Sequence, residues 1–518
     1  MSEDKDTNEH NGFSRRSFLK AAGAAGLAAG AGLPLDDAFA AAGKPKRGGR
    51  LRVSVPPIKS LDPVKMDTSG AIAIVQQAAE YLVWAGPDLK LRPVLAEKWK
   101  AENGGKTWLF KLREGVKFHD GREMTADDVV ATFKRLVNPK SASAAASQLP
   151  FLKPENVGKV DRHTVRFDLD RPVGAFPYYT QTYNAVILPA DYDGNFATHP
   201  VGTGPFRMTQ YKAEESASFE RNPHYWRDGH PYLDGVDISV FGSSQPQILA
   251  LQGGNVDVML LSGYLDAKPL MPNKDIKIIA AHSAEHRELT MRVDKKPFDD
   301  KRVRQAVALC LNRTAIIRSL LGGKADMGND HPIAPVYPVN LSVPQRHKNL
   351  AQARKLLAAA GYPHGFDIDL YTEQYAEVPQ YAVLIQQMLA AANIRVKLHV
   401  QPQNVYYNHW TEVTFGLTDW TTRPTPGQIL SSAFMSDSKW NAPHWKNKQF
   451  DHLVERLQAE TDKAKRSQLA NRIATILHDE VPAVIAYFKQ NLRPMRKNVH
   501  GVDGSMSNYL DLTRAWLS

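Results

Sequence analysis

The chain contains 518 residues, which is more than one hydrophobic core usually holds, so we expect at least two lobes. Its hydrophobic content of 43% and charged content of 23% are typical of a soluble globular protein, and its single cysteine excludes an intrachain disulfide. The net charge of +11 comes from dispersed Lys and Arg residues, which argues against nucleic-acid binding and favours an anionic ligand or membrane surface.

The N-terminus has the three parts of a secretory signal. Arg15 and Arg16 form a twin-arginine signature, Ala21–Leu35 is a mildly apolar run, and Ala38–Ala40 is a small-x-small cleavage site. A membrane anchor is the alternative, but the run is shorter than the ~20 strongly apolar residues of a spanning helix. We predict a cleaved signal peptide at 1–40. Because no cysteine lies near the cleavage site, we expect a soluble periplasmic protein rather than a lipoprotein.

The first half of the chain mixes strand and helix patterns. Thr107–Leu112 and Thr164–Leu169 alternate between apolar and polar residues, as half-buried strands do. Thr125 is a typical N-cap for an amphipathic helix that ends at Val137. The segment Gly202–Pro205 predicts a tight turn in which both glycines adopt positive φ and the proline leads into a strand.

The second half alternates regularly between helices and strands. Ala351–Ala360 is a strong helix pattern closed by a glycine, and Val383–Ala392 is a second one. Phe366–Leu370 and Arg395–Val400 are strand patterns between and after them. This order predicts an α/β lobe. Two further amphipathic helices are predicted at Phe450–Ala459 and Arg466–Leu477.

Catalytic and metal-binding patterns are weak in this sequence. Cys310 lies on an apolar helix face without a companion histidine motif, which favours a buried small hydrophobic residue over a nucleophile. His282 and His286 are four residues apart, but their segment has the pattern of a strand or loop, which disfavours a metal pair. Hydrolase elbows, zinc-protease motifs and Walker loops are not found in the sequence. We therefore predict no enzyme, no cofactor and no metal, with a periplasmic hydrolase as a remote alternative.

A series of short motifs resembles, in order, the bacterial extracellular solute-binding proteins of family 5, which bind dipeptides, oligopeptides and nickel. Each motif alone is unspecific, but their order over nearly the whole mature chain is specific. The motifs are Ser60–Pro63, Leu91–Trp99, Phe110–Gly121, Thr125–Val129, Pro200–Phe206, Arg221–Trp226, Pro297–Asp300, Val303–Ala306 and Ala353–Leu357.

The resemblance implies a two-lobed α/β periplasmic-binding-protein fold with a hinge and an extra subdomain in the first lobe. The hinge crossings are expected near His286–Arg292 and Tyr487–Arg493, with the ligand enclosed between the lobes. The expected parts are lobe I at 41–68, 200–286 and 490–518, the extra subdomain at 69–199, and lobe II at 287–489.

The resemblance also implies that a segment late in lobe II contacts the ligand. Here that segment contains Trp420, Thr421, Thr422 and Arg423. Peptide-binding members usually carry an aspartate for the ligand ammonium near the position of Arg423. Because arginine binds carboxylate or phosphate, we predict that Trp420 forms an apolar wall and that Arg423 anchors an anionic group, with a surface or interlobe ion pair as the alternative.

Four further residues are weaker candidates for the ligand site. Asp330 and His331 lie in a polar loop of lobe II, where a plain surface turn is the alternative, and Tyr183 and Tyr264 are carried by family position alone. The resemblance implies a monomeric binding protein that hands a peptide-like solute to the permease subunits of an ABC importer. An acidic non-peptide ligand, such as an opine, a sugar phosphodiester or a metal chelate, remains the alternative.

Overall fold

The structure is a computed structural model that describes residues 44–505 and 509–518. The predicted signal peptide, residues 1–40, lies outside these residues. None of the helices within the described ranges combines the length and apolar character that a membrane span needs.

Strands and helices both occur in every part of the described chain. The strands are β1 (Arg50–Val55), β2 (Val83–Ala85), β3 (Leu91–Pro93), β4 (Ala96–Glu102), β5 (Thr107–Leu112), β6 (Val157–Asp161), β7 (Thr164–Asp168), β8 (Phe206–Lys212), β9 (Ser216–Arg221), β10 (Gly235–Val240), β11 (Val258–Met259), β12 (Ile276–Met291), β13 (Ala325–Met327), β14 (Phe366–Glu373), β15 (Ile394–Gln401), β16 (Phe415–Trp420), β17 (Ala483–Val484), β18 (Tyr487–Arg496), β19 (Val499–His500) and β20 (Trp516–Leu517). The α-helices are α1 (Ser69–Ala78), α2 (Ala126–Val137), α3 (Phe176–Tyr179), α4 (Ser244–Gln252), α5 (Tyr264–Ala267), α6 (Lys301–Cys310), α7 (Arg313–Leu321), α8 (Leu350–Ala359), α9 (Val378–Ala390), α10 (Gln403–Tyr406), α11 (Pro426–Ala433), α12 (Lys448–Ala459) and α13 (Lys463–Glu480).

Two long antiparallel strands form the centre of one mixed 12-stranded sheet. The strand order is β15-β14-β16-β12-β18-β11-β1-β10-β9-β8, with β13 paired to β18 and β17 paired to β12. The register of β12 and β18 runs from Ile276 opposite Arg496 to His286 opposite Phe488. Both predicted hinge crossings overlap this strand pair, while the exact domain boundaries remain a prediction.

The buried apolar residues divide into cores on either side of these strands. The first core draws on residues between 51 and 260 and between 495 and 515. The second draws on residues between 289 and 487, and the third on residues between 284 and 488 together with Leu89. We call the part around the first core lobe I and the part around the second and third cores lobe II. Within lobe I, a separate four-stranded sheet (β4-β5-β7-β6) packs against α2.

Most of the predicted elements are confirmed with small shifts of their ends. Thr125 caps α2 in a capping box, in which the Thr125 amide donates to Asp128 at 2.8 Å. The glycine predicted to close α8 is Gly361, with φ of 91°. Helix α9 begins at Val378, five residues before the predicted start, because Pro379 fits the first turn of a helix, where its missing N–H costs no hydrogen bond.

In the Gly202–Pro205 segment, the prediction that both glycines are needed for positive φ is wrong. Neither Gly202 nor Gly204 has positive φ. Both glycines instead lie against the end of α1, where a Cβ on Gly202 would come within 2.1 Å of the Ala78 carbonyl oxygen. A Cβ on Gly204 would come within 2.6 Å of the Ala78 carbonyl carbon. Glycine is required here for close backbone approach, and Pro205 leads directly into β8 as predicted.

Candidate ligand-binding site

A cavity of about 730 Å³ lies between the two lobes. Lobe I contributes residues 147, 148, 150 and 151 and residues 179 and 181–183, and lobe II contributes the loop 421–424 after β16 and one face of α11. The central strands add Glu285 from β12 and Asn491 from β18. Its volume is within the range of small-molecule sites, and its walls come from both sides of the predicted hinge.

Four of the predicted site residues line this cavity: Thr421, Thr422, Arg423 and Tyr183. The backbone of the loop is fixed from two sides. The hydroxyl of Thr422 accepts from the Ala284 amide at 3.2 Å, and the Tyr337 hydroxyl donates to the Arg423 carbonyl oxygen at 2.8 Å. These two hydrogen bonds hold the loop after β16 in place, and the side chains of the loop line the cavity.

The guanidinium of Arg423 has no carboxylate partner among the residues that the structure describes. Its one polar side-chain contact is Nη1 to the Thr421 hydroxyl at 3.2 Å. Burial lowers the pKa of Arg423 from its ordinary value, while Tyr337, Tyr183 and the more distant carboxylate of Asp419 act in the opposite direction. A partly desolvated cation without a counter-ion is stabilised when an anionic group arrives, because a carboxylate or phosphate can accept two N–H bonds from one guanidinium.

The apolar wall is formed by a different tryptophan from the one predicted. Trp420 is only 5% exposed and belongs to the third core, and it does not line the cavity. Trp440 lines the cavity with half of its surface exposed, and its ring lies 5.9 Å from Trp420. Trp410 packs behind Trp420 at 6.1 Å. Trp420 therefore packs behind the indole of Trp440, which faces the cavity.

Asp330, His331 and Tyr264 lie outside the cavity, so the geometry does not support their predicted ligand role. The Asp330 carboxylate is fully buried between Arg313, at 2.6 Å, and Arg346, at 2.7 Å. Burial lowers the pKa of the adjacent His331 to about 4, which leaves it uncharged at neutral pH. Tyr264 packs against the second core. These residues stabilise lobe II.

A buried network of charges borders the cavity next to Trp420, where the predicted ligand-binding segment begins. Arg287 is fully buried and lies 3.0 Å from Glu377, 3.3 Å from Glu285 and 3.9 Å from Asp419. Lys489 lies 2.9 Å from Glu285. Burial alone would raise the pKa of Glu285, but these two cations more than offset it and hold the pKa below its ordinary value. Glu285 thus lines the cavity as a carboxylate whose charge is already balanced by these two cations.

A second acidic pair lies behind this network, at the ends of the parallel strands β14 and β16. Burial, together with the neighbouring Asp419, raises the pKa of Glu373 to about 7. The Tyr407 hydroxyl lies within hydrogen-bonding distance of both carboxylates, with a short contact to Asp419 and one of 3.2 Å to Glu373. Asp419 is therefore engaged within lobe II rather than offered to the ligand.

Several cavity residues carry no signal in the sequence. Arg171, Ser431, Trp440 and Tyr509 stand in segments without a recognisable motif, and only the folded chain brings them to one cavity. Arg171 lies on the lobe I side and, like Arg423, has no acidic partner within 4 Å among the described residues. Both cations on the cavity wall are thus free to meet acidic groups.

The predicted strand conformation of the His282 and His286 segment is confirmed, since both residues lie in β12. His282 contacts Asp326 at 2.7 Å, while His286 is buried and contacts the Ala284 carbonyl oxygen at 2.8 Å. Within residues 44–505 and 509–518, no cluster of three or more His, Cys, Asp or Glu side chains has the arrangement of a metal site.

Comparison with known proteins places this architecture in a family. Residues 90–442 match the model of the bacterial extracellular solute-binding proteins, family 5 (middle region). The chain belongs to this family. This solute-binding protein is 26% identical over 471 residues to the glutathione-binding protein GsiB of Escherichia coli, covering 85% of this chain and 89% of that one. It is 27% identical over 458 residues to heme-binding protein A of Haemophilus influenzae, covering 81% and 83%.

The fold agrees with that assignment. The solved structure of HbpA2 from Haemophilus parasuis superimposes with a TM-score of 0.82 at 22% sequence identity, covering 90% of this chain and 99% of that one. The predicted two-lobed α/β fold is confirmed, and so is the role as a substrate-binding protein of the kind that serves ABC importers. The family consists of binding proteins rather than enzymes.

Proposed function

We propose that this protein captures an anionic peptide or peptide-like solute in the periplasm and delivers it to the permease of an ABC importer. The observation that carries the proposal is the position of Arg423, a cation without a carboxylate partner on the wall of an interlobe cavity. An acidic group of the solute supplies the missing counter-ion.

The rest of the lining supports a small peptide-like molecule. Gln181, Gln428, Ser431 and Asn491 offer neutral donors and acceptors of the kind that backbone amides require. Glu285, the cavity carboxylate, is already paired with Lys489, so it is a poor anchor for a free ammonium group. The relative GsiB is named for glutathione, an acidic tripeptide with two carboxylates and one ammonium group.

Glutathione is therefore the first probe to titrate. In isothermal titration calorimetry we expect saturable binding of one glutathione per chain. Its dimethyl ester, which lacks both carboxylates, should bind about 10- to 100-fold more weakly, as expected for the loss of charge-assisted hydrogen bonds. Equal affinity for acid and ester would contradict the anion anchor. Binding of an opine, a sugar phosphodiester or a metal chelate in place of glutathione would favour the alternative ligand class.

The protein acts by binding alone in this proposal, as a monomer with the permease subunits as its partner. The support is the family, whose members bind without turnover. Glutathione recovered intact after prolonged incubation, measured by mass spectrometry, is the expected result. A hydrolysed product would favour the periplasmic hydrolase instead.

The export route is part of the proposal. Arg15 and Arg16 in the N-terminal signature support twin-arginine export of the folded chain, followed by cleavage after Ala40. Replacing both arginines by lysine should leave the precursor in the cytoplasm, as measured by cell fractionation, whereas Lys20→Arg should leave export unchanged. Periplasmic protein in the double variant would show that another route carries the chain.

A further inference from the structure

Among the residues that the structure describes, Leu89 is the one buried member of the third core that comes from lobe I, and Ala85 of the same hairpin packs against that core partly buried. All other buried residues of that core lie between 284 and 488, in lobe II, whereas Leu89 stands at the tip of the β2–β3 hairpin and is fully buried. A side chain from one lobe is therefore embedded in the apolar interior of the other. This contact lies outside the two strands that connect the lobes.

The hairpin is held by lobe I on its other side. Trp84 packs edge-on against Tyr509, with ring centroids 5.1 Å apart, and the Ala85 amide donates to Gln181 at 2.6 Å. Tyr509 and Gln181 both line the cavity. The hairpin thus connects the cavity wall of lobe I to the core of lobe II.

The tip has a fixed shape that suits this role. Leu89 has φ of 54°, a left-handed conformation that a branched side chain rarely adopts, and its amide donates to the Gly86 carbonyl oxygen at 2.9 Å. The Tyr178 hydroxyl donates to the Leu89 carbonyl oxygen at 2.7 Å. Such a conformation persists where its surroundings determine it.

A second contact joins the same two lobes through another segment of lobe I. The Gly174 amide of lobe I donates to the Gln458 carbonyl oxygen of α12 at 2.8 Å. A Cβ on Gly174 would lie 1.9 Å from the Glu460 carbonyl oxygen, so the two backbones touch. Gln458 also lines the cavity. Both contacts join lobe I to lobe II outside the two central strands.

We propose that Leu89 is a latch: docked in the third core, it holds the lobes together around the cavity and sets how often the cleft opens. Leu89 does not line the cavity, so it acts without touching the solute. Apolar burial of a whole leucine side chain favours the closed arrangement in the unliganded protein, and the affinity for any solute scales with the population of that arrangement.

The test uses the unliganded mature protein and is therefore independent of the identity of the solute. Mass spectrometry measures the rate of hydrogen exchange in the peptide that contains Gly174. The Gly174 amide donates to the Gln458 carbonyl oxygen and is protected only while the lobes touch. In Leu89→Ala we expect exchange of this peptide at least about tenfold faster, because truncating a buried leucine removes its transfer free energy and leaves a cavity. Small-angle scattering should show a larger radius of gyration.

Leu95→Ala is the matched control, because Leu95 is equally buried but belongs to the first core, within lobe I. It should destabilise the fold without selectively accelerating exchange at Gly174. Tyr178→Phe is a milder latch variant that keeps the core intact, and it should accelerate the same peptide about two- to tenfold by losing one hydrogen bond.

Unchanged exchange at Gly174 in both latch variants, or the same acceleration in Leu95→Ala, would overturn the latch. Either result would leave the proposed binding function standing, because that function depends on the cavity and not on Leu89. If the protein binds no acidic solute but the latch variants accelerate exchange at Gly174 as expected, the proposed binding function is wrong and the latch stands.

Discussion

Replacing Arg423 by alanine is expected to weaken glutathione binding at least about 30-fold, because it removes one partner of a desolvated charge pair and leaves the solute carboxylate unpaired. No acidic side chain of the described protein lies within 4 Å of the guanidinium, so the wild-type protein has no internal pair to lose. The stability of the unliganded variant should therefore change little. Calorimetric titration measures the first effect and thermal unfolding the second.

Two further variants separate charge from geometry. Arg423→Lys keeps the charge but loses the planar fork, so its affinity should lie between those of the wild type and the alanine variant. Arg472→Ala removes an exposed arginine of lobe II that does not line the cavity, and it should bind as the wild type does. If Arg423→Ala binds glutathione with wild-type affinity, Arg423 is not the anion anchor and has an interlobe or surface role instead.

Arg287→Met is expected to lower the free energy of unfolding by about 3–5 kcal/mol, the usual cost of leaving buried charges without their partner. Burial lowers the pKa of Arg287, but Glu377 and Glu285 more than offset this, and the pKa lies above its ordinary value. In the variant only Lys489 faces these carboxylates. Chemical denaturation at pH 7 gives the measurement.

The loss of stability in Arg287→Met should depend on pH. Without Arg287, the folded-state pKa values of Glu285 and Glu377 rise, so the folded protein takes up protons as the pH falls. The deficit against wild type should therefore shrink between pH 7 and pH 5. Arg302→Met is the control, because Arg302 pairs with Asp300 at the surface, where solvent screens the ion pair, and its loss should change the stability little. An Arg287→Met variant as stable as this control would contradict the buried network.

Sequence patterns predicted local structure well wherever one element carries its own signal. Thr125 with Asp128 specifies a helix start within four residues, and the alternation of Thr107–Leu112 specifies a half-buried strand. The glycines at 202 and 204 show where such reasoning stops. Their necessity comes from the approach of α1, an element more than a hundred residues earlier, and turn chemistry alone suggested positive φ.

The candidate site was predictable only in part, for the same reason. The family segment supplied Thr421, Thr422 and Arg423, which lie on one loop. It also named Trp420, which does not line the cavity, because Trp420 is the last residue of β16 and its side chain faces the third core. Trp440 reaches the cavity from a loop 20 residues further on, and no local pattern marks it. Arg171 and Tyr509 come from lobe I and depend on how the lobes meet.

Asp330 and His331 illustrate a different limit. A polar stretch that contains Asn, Asp and His has the composition of an exposed loop, and the sequence does not reveal the arginines that neutralise it. Arg313 and Arg346 converge on the Asp330 carboxylate and bury it. Burial of a polar loop through ion pairs depends on tertiary contacts and cannot be read from composition.

Native mass spectrometry of the mature protein, purified from periplasm without added ligand, is the most direct measurement of the central claim. The account predicts a second species, heavier by one small solute per chain, which on release is an unaltered molecule with at least one carboxylate or phosphate. A co-purified solute without any acidic group, or one that the protein converts chemically, would contradict it.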